Sequence, residues 1–342
     1  MRYLFLTIVL FIVYSCSHAV KKPNFTEVKV EVLYEDSLSI RAIELMNGSL
    51  AFAANKGVFG TIDLKTETVR TNIQKYDSIL PEFRAVAHTS TDFFMISVAN
   101  PALLYKTGDK GSMELVYTEV GEGVFYDSMA FWNDKEGIAI GDSVAGCLSI
   151  IITRDGGYSW SKLSCNQLPG APEGEGAFAA SNTNIVIKGN KAWIGTTKGR
   201  VYYTDNKGVS WEIFQTPILN EKATQGIYSM DFYDGSLGIA IGGDYTEPEK
   251  NTANKAISHD GGKSWQLLAN NQEPGYKSCI QFVPDSEGKQ IVALGFTGIS
   301  YSSDMGVNWK AISNEGFYTL RFQNDSTAYA AGRNRIAKLT FK

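Results

Sequence analysis

The chain has 342 residues, 44% of them apolar and 20% charged, with 36 acidic against 32 basic side chains and a formal net charge of −4. This balance excludes a disordered chain, a collagen, a polytopic membrane protein and a strongly basic nucleic-acid binder. With a leader of about 15 residues set aside, the remaining length suits either two domains or one large closed repeat. The excess lies in 33 Gly, 6 Trp, 17 Tyr and 18 Phe against only 9 Pro, a composition for many short strands joined by tight turns.

Residues 1–15 carry one cation, Arg2, and an apolar run from Leu4 to Val13 ahead of Ser15 and Cys16. About ten apolar residues would span roughly 15 Å as a helix, half a bilayer, so the run reads as an export signal rather than an anchor. It resembles a bacterial lipoprotein signal, in which the cysteine becomes the lipidated N-terminus, although Tyr14 departs from the usual pattern. Cys16 is therefore the expected lipidation site and residues 16–25 a short tether; the alternative is a cleaved secretory signal with an incidental cysteine. Ser17, rather than Asp, follows Cys16, so the expected location is the cell envelope, anchored by lipid to the outer rather than the inner membrane.

The segment Thr26 to Tyr34 alternates as a lone strand. Further on, four segments align without gaps: Thr153 to Trp160, Thr204 to Trp211, Ser258 to Trp265 and Ser302 to Trp309, sharing Ser/Thr-x-Asp/Asn-x-Gly-x-x-Trp. Decayed copies lie at Thr107 to Glu114, where Glu114 aligns with the tryptophans, and at Thr61 to Lys65. In each box the Asp or Asn is suited to accept backbone N–H groups inside a tight turn, the Gly to supply positive φ, and the Trp to pack between sheets. A structural role accounts for these residues without metal binding or catalysis. A second phrase precedes them, at Met129 to Gly141, Met230 to Gly242 and Leu320 to Gly332, each reading as two strands around a polar turn. Phrase and box together make four strands, the content of a propeller blade.

Units begin near Ser39, Glu82, Phe125, Gly176, Gly226, Tyr276 and Gly316. The last has room for three strands, and the strand at Thr26 to Tyr34 can supply the fourth. The expected fold is all-β, a single seven-bladed β-propeller over residues 26–342, with the ring closed by the N-terminal strand. The boxes resemble the Asp-box (BNR) repeat of sialidase-like propellers. With the Phe-x-Asp/Asn-rich phrases they resemble the photosystem II assembly factor family of seven-bladed propellers more closely than true sialidases. That resemblance implies a binding or assembly role. The phrases FYDSMAFWNDKEGIAIGD, EGEGAFAAS and GIAIGGDYTEPE are similar to exported bacterial propellers often labelled oxidoreductases. No dinucleotide loop, haem motif or metal cluster supports redox chemistry, so no cofactor is expected.

Cys147 and Cys165 are equidistant from Gly156, the centre of a strand-turn-strand segment, and are expected to face each other across that hairpin. An exported location permits a disulfide between them; the alternative is two small buried apolar side chains. Cys279 reads as core. With three histidines and no CxxC, no metal site is expected.

Aligned starts of the innermost strands fall at Arg41, Arg84, Asp127, Phe178, Tyr228, Lys277 and Tyr318, and exits of the second strands add Asp142, Asp244 and Tyr245 on the same face. The Gly-Pro-rich loop before Gly176 adds Glu173 and Glu175. The candidate ligand-binding set is thus Arg41, Arg84, Asp127, Asp142, Glu175, Tyr228, Asp244, Tyr245, Lys277 and Tyr318. Cations and phenols around one mouth suit a small anionic or glycan ligand, or an envelope protein partner. The same charges can instead pair, Arg41 with Asp127 for instance, and plug the channel. Residues 243–254 form the longest loop on this face, a lid or partner contact unless a tolerated insertion.

Two functions compete. One is a non-catalytic, monomeric binding or assembly propeller. The other is a glycan-processing hydrolase or lyase with acid and base drawn from Asp127, Glu175 and Asp244. A true sialidase would carry a Phe/Tyr-Arg-Ile-Pro motif, and the segments around Arg41 and Arg84 lack its proline.

Overall fold

The computed structural model describes residues 24–108 and 111–342. The leader, Cys16 and Asp109 of the decayed box lie outside the described residues. Seven four-stranded blades surround one axis, each an antiparallel meander. The N-terminal strand, Val28–Met46, serves two of them. From Val28 to Ser39 it pairs with Arg333–Phe341, completing blade 7, whose other strands are Thr319–Phe322 and Thr327–Ala331. From Ile40 to Met46 it pairs with Ser49–Ala54 as the innermost strand of blade 1. One continuous strand thus joins the first blade to the last, and no open seam remains in the ring.

Alternation of apolar side chains lets each sheet bury both faces against its neighbours, so the core is a series of interblade clusters rather than one centre. The Asp boxes rivet the outer hairpins. In blade 5, between Lys255–Ser258 and Gln266–Leu267, Ser258 Oγ accepts Gly262 N–H at 2.8 Å and donates to Asp260 Oδ1 at 2.9 Å. Asp260 in turn accepts Ser264 N–H at 2.9 Å and its hydroxyl at 2.6 Å. Blades 3, 4 and 6 repeat the scheme around Asp155, Asn206 and Asp304. The box glycine sits at φ +82° in Gly262 and Gly157, where a Cβ on Gly157 would also overlap the Phe94 ring of the preceding blade.

Blade 2 departs from this scheme. Its hairpin between Ala102–Thr107 and Met113–Glu119 is one residue shorter, so Met113 rather than Glu114 stands opposite Thr107, in the tryptophan's place. Cys147 and Cys165 are joined by a disulfide, with Cα atoms 5.4 Å apart. Cys279 is buried.

Blade 4 begins later than its sequence suggests. The aligned start at Phe178 is not strand; the innermost strand is Ile185–Lys188, and residues 177–184 fold inward as a loop across the channel. This loop touches the inner strand, or the residue leading into it, of every other blade. Asn182 Oδ1 accepts Met129 N–H at 3.0 Å and its Nδ2 donates to Val86 O at 2.7 Å, in blades 3 and 2. Ser181 Oγ donates to Ser278 O at 2.6 Å in blade 6, and its carbonyl accepts Thr319 Oγ1 at 2.8 Å in blade 7. Thr183 meets Ser229 of blade 5 at 2.7 Å, and Arg41 of blade 1 reaches Ala180 O at 3.5 Å. The channel is therefore stoppered by backbone and small polar side chains, not by an Arg41–Asp127 pair. Below the stopper the opposite mouth holds a paired set, with Arg321 on Glu44 at 2.9 Å and on Asn182 O at 3.3 Å.

Candidate functional site

Above the stopper lies a cup of about 620 Å³. The starts of the inner strands in blades 1 and 2 place Arg41 and Arg84 on one side, joined by Arg333 from blade 7. Blades 4 to 6 supply the other side: Phe178, Tyr228, Tyr276, Tyr245 and Phe296, with Tyr318 beside Arg41. Phe178 and Tyr228 stack at 3.7 Å with their planes 3° apart, Tyr276 meets Tyr228 edge-on at 4.8 Å, and Phe296 and Tyr245 extend the wall outward. Ala179 and Ala180 of the stopper form the floor. The cup is blind, cationic on one flank and aromatic on the other.

Five of the ten candidate residues meet here: Arg41, Arg84, Tyr228, Tyr245 and Tyr318. The guanidinium of Arg41 lies 4.1 Å over the Tyr318 ring. Burial, then the nearby Arg84, lowers its pKa, so an anion arriving in the cup would relieve an existing cost. Arg84 is held by Glu82, which accepts from Nε at 2.7 Å and from the terminal nitrogen at 2.6 Å. Tyr228 donates to Thr224 O at 2.8 Å. Tyr245 projects from the 243–254 loop. That loop is not a free lid. Asn254 Nδ2 donates to Pro274 O and Gly275 O, and buried Lys255 donates to Asn254 Oδ1, Gln272 O and Pro274 O, all within 3.0 Å. Burial lowers the Lys255 pKa to about 8.

The other five are placed elsewhere. Glu175 is buried beneath the rim, where it accepts Arg200 Nε at 2.9 Å, Tyr202 OH at 2.8 Å and Thr196 Oγ1 at 2.8 Å. Asp244 closes a turn by accepting Thr246 N–H at 2.9 Å, with Lys222 at 3.7 Å. Lys277 turns into blade 6 toward Thr297 Oγ1 at 2.9 Å, and burial lowers its pKa to about 8. Asp142 accepts Ala177 N–H at 3.3 Å, and burial raises its pKa to about 6. Asp127 is fully buried, and the Ala177 and Ala179 N–H groups approach its carboxylate without a well-formed hydrogen bond to either oxygen. Burial, then the Asp142 charge, raises its pKa well above the ordinary carboxylate range, against the opposing pull of the Ala177 and Ala179 N–H groups and Arg84. None of the three carboxylates proposed as acid and base lines the cup.

Three of the charged or aromatic residues lining the cup were not anticipated. Arg333 follows Gly332 as Asp142 follows Gly141, so the same phrase alignment that reaches Asp142 also reaches Arg333. Tyr276 sits next to Lys277 and takes the mouth position that Lys277 vacates. Phe296 is in the turn between Ile291–Gly295 and Gly298–Ser302, where the sequence carries no distinctive signal. Among the described residues no cluster of His, Cys, Asp and Glu could hold a metal ion.

Residues 256–267 match the family model of the BNR/Asp-box repeat. No curated protein matches the chain by sequence. Among solved structures, one described as YCF48 bound to D1 peptide superposes with a TM-score of 0.65 at 13% identity, covering 93% of this chain and 98% of that one. YCF48 from Cyanidioschyzon merolae superposes at 0.63 with 12% identity over 92% and 98%. The WD40 repeats of RRP9 give 0.64 with 10% identity over 92% and 97%. The chain is a β-propeller that carries the BNR/Asp-box repeat and is similar in fold to YCF48.

Proposed function

We propose that this protein is a non-catalytic binding propeller whose cup receives an anionic segment of an envelope protein partner, a carboxylate against the arginines with apolar or aromatic neighbours against the opposite wall. The observation that carries this reading is the convergence of Arg41, Arg84 and Arg333 on one blind cup faced by Tyr228, Tyr276 and Phe296. Guanidinium groups pair bidentately with carboxylates, and aromatic walls take up apolar groups at low entropy cost. The peptide-bound state of the YCF48 structure supports a peptide as ligand class. The leader at 1–15 and Cys16 fit export and lipid anchoring, and the disulfide fits an oxidising compartment. The hydrolase reading draws no support from Glu175 or Asp244, since each is engaged by its own partners outside the cup.

The test is calorimetric titration with peptides ending in one or two carboxylates beside an aromatic residue, in parallel with uronic acids and small dicarboxylates. Binding weakened about tenfold or more by Arg333→Ala and by Arg84→Ala, one contact each, supports the cup as the site. Binding unaffected by either substitution would sink the proposal, and binding confined to uronic acids would replace the peptide with a glycan.

A further inference from the structure

In blades 3 to 6 the box tryptophan stands opposite the first Ser or Thr of its box and packs into the cleft with the preceding blade. Trp160 meets Phe94 of blade 2 at 6.4 Å, Trp265 shares a core with Trp193 of blade 4, Trp309 packs on Ile239 and Leu268 of blade 5, and Trp211 joins Ile152 and Trp132 of blade 3. Four indoles thus fill four equivalent clefts in one chain. Between blades 1 and 2 the position belongs to Met113, which is slimmer and, like Phe59 and Met46, packs against the core formed by Ala51, Phe83 and Phe93. A cavity of about 440 Å³ remains there, walled by Met46, Ala51, Phe59 and Phe93 and rimmed by Thr71 and Arg70 of the outer strand Val69–Ile73.

We propose that this cleft is a binding site for a planar aromatic molecule of indole size. The repeat itself defines the shape. In the clefts ahead of blades 3 to 6 an indole fills the space between the sheets, whereas ahead of blade 2 Met113 stands in its place and a cavity remains. Leaving apolar walls unfilled costs dispersion energy and favours entry of an apolar guest over water. Asn72, Thr71 and Arg70 at the rim offer hydrogen bonds to a polar substituent that remains outside. The site lies at the hairpin face of the ring, opposite the cup, and owes nothing to the arginines there.

Indole is the probe, and because the cup also has an aromatic wall, two tryptophan substitutions, at Met113 and Thr71, are what separate this cleft from it. Saturation-transfer NMR on the purified protein is expected to show an indole signal, with a matching upward thermal shift. Met113→Trp should abolish the signal and raise the unliganded melting temperature by filling the cleft. Thr71→Trp, on an exposed edge strand and outside the core, should block it without depending on how Met113 repacks. Arg84→Ala should leave it unchanged. Absence of an indole signal in the parent protein overturns the proposal. So does a signal that survives both tryptophan substitutions, or one that Arg84→Ala alone removes.

Discussion

Asn182 Nδ2 donates to the carbonyl oxygen of Val86 at 2.7 Å, tying a loop of blade 4 to the inner strand of blade 2. The same side chain accepts Met129 N–H, so one amide satisfies two buried backbone groups on two blades. Its own backbone sits at φ +57°, a region Asn tolerates and most residues do not. Asn182→Ala would strand both partners without water and add left-handed strain. The expected loss is about 2–4 kcal/mol, counting two unsatisfied buried groups. Urea denaturation would check it. A loss under about 0.5 kcal/mol would show that the stopper is not part of the cooperative unit.

How much of this was legible in the sequence depends on how local each interaction is. The box at Ser258 to Trp265 closes its turn with hydrogen bonds of Ser258, Asp260 and Ser264 that reach no more than four residues, so its pattern repeats and can be read. Closure by the Val28–Met46 strand followed from counting three strands after Gly316. The stopper could not be read the same way. Ser181, Asn182 and Thr183 find partners 46 to 138 positions away, in Ser229, Val86, Ser278 and Thr319, and EGAFAAS imitates the start of an inner strand. Inward or sideways orientation at the mouth was equally hidden: Lys277 and Tyr276 are neighbours, and only packing decides which one faces the cup.

Asp260 belongs to the local, legible class, and its chemistry predicts an acid limb. Burial pushes its pKa up, but hydrogen bonds from Ser264, Ser258 and Lys263 N–H outweigh that and hold it at about 2. A carboxyl depressed on folding contributes stability that is present above its unfolded pKa near 4 and lost as the pH falls toward 2. Asp155 and Asp304 are lowered in the same way, with their hydrogen bonds again overcoming burial. Blade 4 already uses Asn206, whose Oδ1 accepts Val209 and Ser210 N–H at 3.1 and 3.0 Å. Asp260→Asn is therefore expected to change stability by less than about 0.5 kcal/mol at pH 7 and to flatten the loss between pH 4 and 2, while Asp260→Ala costs about 1 kcal/mol at pH 7. Melting temperatures from pH 2 to 7 decide it; equal acid limbs for parent and Asn variant would contradict the assignment.

Asp142 carries the opposite sign. It lies against Gly176 and Ala177 at the root of the stopper loop, and it is the charge that, after burial, does most to raise Asp127. With its own pKa raised by burial to about 6, the folded protein binds the Asp142 proton more tightly than the unfolded chain does. That contribution is fully present below about pH 4, declines through the window from 4 to 6, and is absent above it. Asp142→Asn keeps the oxygen that accepts Ala177 N–H, and it removes both the buried charge and its repulsion of Asp127. The variant should match the parent within error near pH 4 and exceed it at pH 8, by on the order of 2 °C in melting temperature for a chain of this size. Differential scanning calorimetry at the two pH values measures the difference directly. If the gap between variant and parent is the same at both, the carboxyl is not titrating in this window, and burial beside Asp127 is not what sets its proton affinity.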